Sequence, residues 1–377
     1  MNIRITIVTL FLLIVSFFSV RGQQTITDTL MYDGVKRTFI LYVPASYDQA
    51  ENVPLLLNMH GLRGTAELQM NYGDFKPISE REGFIIVHLQ GLKDDQGRNH
   101  WNFNPGSDTV DDVGFLSALI DQVSSEYSVD NKRVYSAGFS QGAFMSFYLV
   151  CHLGEKIAGI GTVAGATVDS TGFHKGFPMP IIQIHGTFDG LVSYDNYKIQ
   201  NFMNIIADYN NCESTPEETS VPNSNTSDGS DVTHLLYKNG DKDISVEHFR
   251  VNIGGHTWPG TKGNKTNTNY DIDASEEIWR FLYQFNKDNI VTGLHSTRSL
   301  IKTTVYPNPF KDEIQIESSA NIESVNIRNI SGQSVFYEKM MEKKSSCILK
   351  TDELPSSLYT VFVQTERDMQ VIKLIKF

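Results

Sequence analysis

The chain has 377 residues, of which 40% are hydrophobic and 20% are charged, so it can bury a sizeable core and is not wholly disordered. Its formal net charge of −12 argues against nucleic acid as a partner, because phosphate binding needs clustered lysine and arginine. The length predicts one large domain and a smaller one.

The N-terminus has the pattern of a secretory signal peptide. A short basic start at residues 1–4 precedes an almost wholly apolar run at 5–20, and Val20-Arg21-Gly22 is a suitable cleavage site. We therefore expect residues 1–22 to be removed on export. The length of the apolar run leaves a retained membrane anchor as the alternative. No stable membrane span is expected once the signal peptide is gone.

Residues 23–287 alternate short apolar runs with amphipathic segments. The runs are apolar on both faces, as strands of a helix-covered parallel sheet are, and they lie at 37–43, 53–59, 84–89, 133–136, 157–163 and 180–184. A helical period predicts helices from Val113 to Tyr127, after Ser140, and from Ala274 to Phe285. This alternation predicts an α/β fold. The polar segment 213–231 is predicted to be a long surface loop, or a lid without an apolar face.

The character of the chain changes after Lys287. Residues 288–303 are predicted to be a linker, and residues 304–377 carry short β-like segments separated by turn signals such as Ser331-Gly332. This pattern predicts a small C-terminal β-sandwich.

Three cysteines are present, namely Cys151, Cys212 and Cys347. An exported chain meets an oxidising compartment, so Cys151 and Cys212 are candidates for a disulfide, which the sequence cannot assign. No cysteine or histidine pair has the spacing of zinc ligands, so we expect no metal.

Residues 138–142 read Gly-Phe-Ser-Gln-Gly, a G-x-S-x-G pattern between a predicted strand and a predicted helix. Glycines on both sides allow the strained turn that exposes a serine nucleophile in this context, whereas an ordinary glycine-rich turn is the alternative. Ser140 is therefore a candidate nucleophile, and a serine hydroxyl needs a base and an orienting acid.

The acid and the base are sought in the chain order nucleophile, acid, base. Asp189 is the first carboxylate after the strand at 180–184, and Asp195 is its alternative. His256 lies in a tight loop rich in glycine and is the candidate base. The other histidines are expected to be structural or to stand outside this order.

Two backbone N–H groups are expected to bind the oxyanion of the tetrahedral intermediate. One belongs to Gln141, directly after the nucleophile, and the other to Leu62, in the loop that begins His60-Gly61. Trp101 and Trp258 are the aromatic residues expected nearest the loops that carry the chemistry, and either they form walls of the substrate site or they simply pack in the core.

Several motifs stand in the order of one family. They are His60-Gly61, Trp101-Asn102, residues 111–115, Arg133-Val134-Tyr135, the Ser140 turn, His185-Gly186-Thr187 with Asp189, and residues 255–260. Together they resemble the secreted polyhydroxybutyrate depolymerase-like esterases, a group that includes feruloyl and acetylxylan esterases of carbohydrate esterase family one. The resemblance covers residues 30–287. It implies an α/β-hydrolase fold, the triad Ser140, Asp189 and His256, and no cofactor.

Two positions depart from this family pattern. Gln141-Gly142-Ala143 stands where relatives often carry Asn-Gly-Gly, and Leu89 stands where a proline is common. Neither touches the triad, although the changed turn bears on substrate fit.

The tail resembles the C-terminal sorting domain of type IX secretion. The resemblance rests on residues 305–310, 358–361 and 373–376, with Ser357 in place of the usual glycine. It implies type IX secretion machinery as a partner and a destination outside the cell or on its surface, reached through the periplasm. A carbohydrate-binding β-module is the alternative.

The expected function is a secreted serine carboxylic-ester hydrolase that acts through an acyl-enzyme on feruloyl or acetyl esters of plant cell-wall polysaccharide. An extracellular polyhydroxybutyrate depolymerase is the alternative within the fold. A non-catalytic surface carbohydrate-binding protein is an alternative of another class, which a degenerate triad would favour. A peptidase of this fold usually has a large gating domain, which the sequence does not show.

Overall fold

A computed structural model describes residues 22–103, 109–167, 178–263, 266–287, 303–329, 334–365 and 369–376. The expected signal peptide, up to residue 21, and most of the expected linker lie outside these residues. The chain divides into two compact units, Met1–Thr292 and Gly293–Phe377. Within the described ranges, no helix is both long and apolar enough to cross a bilayer.

The larger unit is built on a sheet of ten strands in the order β1-β2-β4-β3-β5-β6-β7-β10-β9-β8. Strands β3 to β7 and β10 run parallel to one another, while β1 and β2 at one edge and β9 and β8 at the other are antiparallel to their neighbours. The strands are β1 (Gln24–Tyr32), β2 (Val35–Val43), β3 (Val53–Met59), β4 (Ile85–Leu89), β5 (Val129–Phe139), β6 (Gly159–Val163), β7 (Ile181–Gly186), β8 (Glu217–Ser220), β9 (Asp231–Tyr237) and β10 (Val246–Asn252).

Helices cover both faces of this sheet. They are α1 (Ala66–Tyr72), α2 (Lys76–Glu82), α3 (Asp112–Glu126), α4 (Gln141–His152), α5 (Ile199–Tyr209) and α6 (Ala274–Leu282). Alternate residues of β3 enter two different apolar cores, Leu55 and Leu57 on one side of the sheet and Leu56 on the other. Burial on both faces explains why the parallel strands read as continuous apolar runs. The predicted α/β-hydrolase fold is confirmed.

Helix boundaries follow local chemistry. The Asp111 carboxylate accepts a hydrogen bond from Gly114 N at 2.8 Å and so caps α3, as the sequence predicts for its acidic start. Asp273 caps α6 in the same way through Ser275 N and Glu276 N. Helix α2 ends at Gly83 with φ 73°, a left-handed conformation that glycine adopts without strain.

The polar segment 213–231 is not a structureless loop. Residues 217–220 form β8, an edge strand that pairs with β9 and whose four residues are all exposed. The rest is held to a neighbouring loop, since Asn225 N donates to Asp271 Oδ1 at 2.9 Å and Tyr270 N donates to Asp228 Oδ2 at 2.8 Å. A fully exposed strand has no apolar alternation, which is why the sequence pattern misses it.

The smaller unit is an antiparallel β-domain with its own apolar core. Its strands are β11 (Thr303–Tyr306), β12 (Glu313–Arg328), β13 (Ser334–Lys350), β14 (Leu358–Thr365) and β15 (Met369–Ile375). Inward-facing residues of β12 and β14, such as Ile316, Val325 and Val361, fill that core. The β-rich C-terminal domain that the sequence predicts is confirmed.

The three cysteines all lie among the described residues, and none of them forms a disulfide there. Cys151 and Cys212 are partly buried against the same core of the larger unit, yet they form no disulfide. Burial raises the pKa of the Cys212 thiol to about 11.

Candidate active site

Ser140 lies on the turn between β5 and α4, with φ 52° and ψ −117°. This conformation is strained for a residue with a side chain, and such strain persists only where the surroundings impose it. Ser140 N donates to Val163 O and Ser140 O accepts from Ala143 N, both at 2.9 Å. The turn thus projects Ser140 at the carboxyl end of the sheet.

The glycines around Ser140 are required by close backbone approach. A Cβ at Gly138 would overlap the backbone of Gly142, and a Cβ at Gly142 would overlap Met59 O. The G-x-S-x-G pattern therefore reflects two tight contacts on either side of the serine, as expected for a nucleophile turn.

Asp189 and His256 meet at the same edge of the sheet because β7 and β10 are parallel neighbours. His256 Nδ1 donates to Asp189 Oδ2 at 2.7 Å. The other carboxylate oxygen, Oδ1, accepts from Leu191 N and Val192 N, each at 2.8 Å. The imidazole is therefore oriented by a carboxylate that is itself fixed by backbone donors.

Burial and hydrogen bonding act on Asp189 in opposite directions. Its side chain is buried, and desolvation alone would raise its pKa. The nearby N–H of His185, hydrogen bonds from His256 and Val192 N, and the charge of His256 outweigh burial and hold the pKa of Asp189 well below its usual value. Asp189 is therefore a carboxylate at neutral pH.

Asp195, the alternative acid, is exposed and has no contact with His256 in the described ranges. Its backbone oxygen accepts from Lys198 N at 3.0 Å in the turn before α5. Of the two acids that the sequence offers, the structure brings Asp189 to the histidine.

The His256 ring packs against Phe139, the residue before the serine, with 4.9 Å between ring centroids. Ser140 Oγ makes no hydrogen bond to any residue that the structure describes. Such contacts are often long in ligand-free enzymes and tighten when substrate binds. The imidazole of His256 thus lies beside the turn that carries Ser140.

The loop after β3 passes directly beside Ser140. A Cβ at Gly61 would lie 3.1 Å from Ser140 Cβ. In this loop Arg63 N donates to Asn99 O at 2.8 Å, whereas Leu62 N, like Gln141 N on the opposite turn, makes no hydrogen bond within the described part of the chain. Two backbone donors next to the serine are therefore available.

His60 holds this loop and is structural. Its Nδ1 donates to Gly61 O at 2.7 Å, and its Nε2 accepts from Gly91 N at 3.0 Å. Burial lowers the pKa of His60 to about 4, so the ring is neutral at ordinary pH. The expectation that His60 is a satisfied structural histidine agrees with these contacts.

Trp101 and Trp258 are both enclosed in the structure. Each is 1% exposed. Trp101 Nε1 donates to His60 O at 2.9 Å, and Trp258 Nε1 donates to Ser275 Oγ at 3.1 Å. Enclosure and satisfied N–H groups favour the packing alternative, and the substrate-binding role of the two indoles stays a prediction.

Sequence reasoning missed one contact of the acid. His185 Nε2 lies 3.4 Å from Asp189 Oδ2, and the side chain is buried. Its position at a strand end suggested only a structural role, and the spacing of four residues from Asp189 was the signal that could have revealed the contact. No cluster of three or more metal-binding side chains occurs among the described residues.

Comparison with known families gives two matches. Residues 99–239 match the family described as Phospholipase/Carboxylesterase, and residues 304–376 match the Secretion system C-terminal sorting domain. The first match contains Ser140 and Asp189, and the second spans nearly all of the smaller unit.

Curated relatives are similar to the larger unit. The bifunctional acetylxylan esterase/xylanase XynS20E of Neocallimastix patriciarum is 28% identical over 72% of this chain and 36% of its own length. Feruloyl esterase B of Piromyces equi is 28% identical over 58% of this chain and 42% of its own. Poly(3-hydroxyalkanoate) depolymerase C of Paucimonas lemoignei is 27% identical over 58% of each chain.

The chain spans less than half the length of the first two of these relatives. Each of the three alignments is longer than the smaller unit, so the similarity includes the larger unit. The chain therefore combines an α/β-hydrolase unit similar to carboxylesterases with a C-terminal unit similar to secretion-system sorting domains.

Proposed function

We propose that the protein is a secreted serine carboxylesterase with Ser140, Asp189 and His256 as its triad. The observation that carries this proposal is the 2.7 Å hydrogen bond between Asp189 and His256, formed beside the strained turn of Ser140. A nucleophile, an oriented imidazole and an ionised carboxylate are the groups that acyl transfer requires.

In the first half of the reaction, Ser140 Oγ attacks the ester carbonyl carbon while His256 Nε2 takes the hydroxyl proton. Collapse of the tetrahedral intermediate breaks the bond to the alcohol, which leaves with the proton from His256. In the second half, His256 removes a proton from the water that attacks the acyl-enzyme. Collapse of the second intermediate breaks the bond between the acyl carbon and Ser140 Oγ, His256 returns the proton to Oγ, and the acid is released.

The negative oxygen of each intermediate would accept hydrogen bonds from Leu62 N and Gln141 N. Both are free of other partners in the described ranges, and both flank Ser140. Donors that are fixed before the reaction stabilise developing charge without the cost of reorganisation. This support for the oxyanion site is independent of the contact between Asp189 and His256.

The substrate we propose is a feruloyl or acetyl ester of plant cell-wall polysaccharide. Support comes from relatives whose names include acetylxylan esterase and feruloyl esterase. A polyester is the second candidate, supported by the depolymerase relative and by Phe188 and Leu191, which flank Asp189 in sequence and are 67% and 76% exposed. Apolar side chains exposed beside a site favour contact with an apolar surface.

The C-terminal unit would direct export. Its match to a sorting domain indicates handling by type IX secretion and release or attachment outside the cell. The route through the periplasm, after removal of residues 1–22, is part of the proposal.

The test compares three substrates: feruloylated arabinoxylan, acetylated xylan and amorphous polyhydroxybutyrate, each with the mature protein and with Ser140→Ala. Release of ferulate or acetate by the wild type alone, without soluble hydroxybutyrate, is the expected result. Clearing of the polyester with neither acid released from xylan would move the substrate to polyester. Equal release by Ser140→Ala would overturn the serine mechanism.

A further inference from the structure

A second histidine lies behind the acid of the proposed triad. His185, at the end of β7, is buried, and its Nε2 lies 2.8 Å from Val192 O and 3.4 Å from Asp189 Oδ2. The proton transfers of the proposed mechanism do not use this ring. Its contact with the carboxylate therefore calls for a separate explanation.

Gln183 determines which ring nitrogen of His185 carries the proton. One amide atom of Gln183 lies 2.7 Å from Gly165 O, and because a carbonyl can only accept, that atom is the nitrogen. The amide oxygen accepts from Thr162 Oγ1. The same nitrogen lies 3.0 Å from His185 Nδ1, so Nδ1 accepts and the proton of the neutral ring is on Nε2.

This tautomer directs an N–H group at the turn after β7 that carries Asp189, Val192 and Tyr194, here called the acid turn. Nε2–H faces Val192 O and Asp189 Oδ2, and the latter oxygen also accepts from His256 Nδ1. Val192 N in turn donates to Asp189 Oδ1. His185 thus contacts both the carboxylate and the backbone that holds its other oxygen.

We propose that His185 is a positioning residue for the triad: kept as the Nε2–H tautomer by Gln183, it holds Asp189 in the orientation that receives His256 and limits the basicity of the carboxylate. The inference rests on the proposed function and deepens it. The N–H dipole of His185, 3.4 Å from Asp189 Oδ2, stabilises the ionised carboxylate, so the carboxylate favours the imidazolium of His256 less strongly.

The titratable groups around His185 come from three elements. Asp189 and Tyr194 belong to the acid turn, with the Tyr194 ring 5.8 Å from that of His185, and His248 lies on β10. His248 Nε2 lies 3.0 Å from the hydroxyl of Tyr194, and the charged side chain of Arg250 acts on that same hydroxyl. His256 faces the group from the loop after β10, through Asp189.

His248 is a matched control for His185. It is also fully buried, its Nδ1 lies 3.1 Å from Gln183 O, and it has no contact with Asp189 among the described residues. Replacing either ring removes a buried histidine from the same cluster, yet only one replacement removes a donor from the acid.

The experiment measures kcat and KM against pH for His185→Phe and His248→Phe with a soluble nitrophenyl ester. His185→Phe is expected to lower kcat about 10- to 100-fold with little change in KM. The acid limb of its kcat/KM profile is expected at higher pH, because a more basic Asp189 favours protonated His256. His248→Phe is expected to keep the limb of the wild type. An unmoved limb in His185→Phe, or the same shift in both variants, would overturn the proposal.

A double-mutant cycle gives a second readout. If His185 acts through Asp189, adding His185→Phe to Asp189→Asn is expected to change kcat by less than about twofold. If the kcat losses of the two single variants multiply in the double variant, His185 acts by a route other than Asp189. His185→Gln, whose amide can still donate, is expected to recover part of the loss.

Circular dichroism and thermal unfolding establish that each variant is folded. If His185→Phe does not fold, Gln183→Met takes its place, since it removes the donor to Nδ1 at nearly constant volume. The acid limb of the kcat/KM profile of Gln183→Met is then expected at higher pH, and an unmoved limb would overturn the proposal. Ser140→Ala is measured in parallel. An active Ser140→Ala would overturn the proposed function itself, whereas an inactive Ser140→Ala with an unmoved limb in His185→Phe overturns only the inference.

Discussion

The two sides of the candidate site differ in how their polar groups are satisfied. On the acid side, both oxygens of Asp189 accept hydrogen bonds, from Leu191 N and Val192 N and from His256. On the nucleophile side, Ser140 Oγ and the N–H groups of Leu62 and Gln141 have no hydrogen-bond partner among the described residues. Buried polar groups are rarely left unpaired, because the loss of solvation is costly, but Ser140 and Gln141 are only half-buried and Leu62 is exposed, so these groups can be solvated until a ligand binds.

The proposed roles account for this difference. Asp189, which would orient His256, is fully bonded within the protein, whereas the groups that would meet substrate have no internal partner among the described residues. Changes on the two sides are therefore expected to have different consequences.

The largest expected effect follows from removing the charge on the acid side. Asp189→Asn is expected to lower kcat on the order of 10⁴-fold, because the imidazole would be held in the wrong tautomer. Asp195→Asn is the matched control and is expected to stay near the wild type, since Asp195 is exposed and does not reach His256. Steady-state kinetics decide the matter, and the reverse result would assign the acid role to Asp195.

A smaller effect is expected on the nucleophile side. In Gly61→Ala the new Cβ lies 3.1 Å from Ser140 Cβ and 3.2 Å from Phe139 Cδ1, so the loop that carries Leu62 N must shift. Loss of one oxyanion donor lowers kcat on the order of 10²-fold. Gly190→Ala is the control, because a Cβ there meets no atom within 4 Å. Equal activity of the two variants would argue against a donor at Leu62.

The lowered pKa of Asp189 also predicts that the stability of the fold depends on pH. The pKa of Asp189 is lower in the folded protein than in the unfolded chain, so its ionised form stabilises the fold above about pH 4 and this stabilisation declines as the pH falls further. Asp189→Asn is expected to lower the free energy of unfolding by about 1–3 kcal/mol at pH 6, and by less at pH 3. Urea unfolding of the wild type and the variant at both pH values measures this difference in the free energy of unfolding. An equal difference at pH 6 and at pH 3 would contradict the prediction.

The smallest effect on turnover is expected from removing the C-terminal unit. The proposed triad and both proposed oxyanion donors precede Lys287, whose N–H bonds to Lys132 O at 2.9 Å within the larger unit. A chain that ends at Lys287 is therefore expected to fold and to hydrolyse a soluble ester within about twofold of the full-length rate. In the native cell it is expected to stay in the periplasm, and its appearance outside would contradict the sorting role.

The sequence predicted those parts of the molecule that local patterns determine. Strand β3 spans the apolar run that was predicted at 53–59, and Ser140 lies on the expected turn between strand and helix. The proximity of Asp189 and His256 followed from the chain order of the fold, although 67 residues separate them. A motif that fixes a local conformation can be read without knowledge of the tertiary structure.

The features that were missed depend on tertiary contacts. Strand β8 is fully exposed, and it forms because its backbone pairs with that of β9. Trp101 is enclosed, and its indole N–H donates to the backbone oxygen of His60, which lies 41 positions earlier in the sequence. His185 contacts Asp189 only when the turn after β7 closes on Val192. Single-sequence patterns do not show which distant groups will satisfy a buried polar atom.

The most direct test of the proposed triad is covalent labelling of the intact mature protein with an active-site organophosphate, followed by mass spectrometry of its peptides. The account predicts one adduct, on Ser140, with loss of esterase activity in proportion to labelling and much slower labelling in His256→Ala. An adduct on another serine that accompanies inactivation, or full activity of Ser140→Ala, would contradict it.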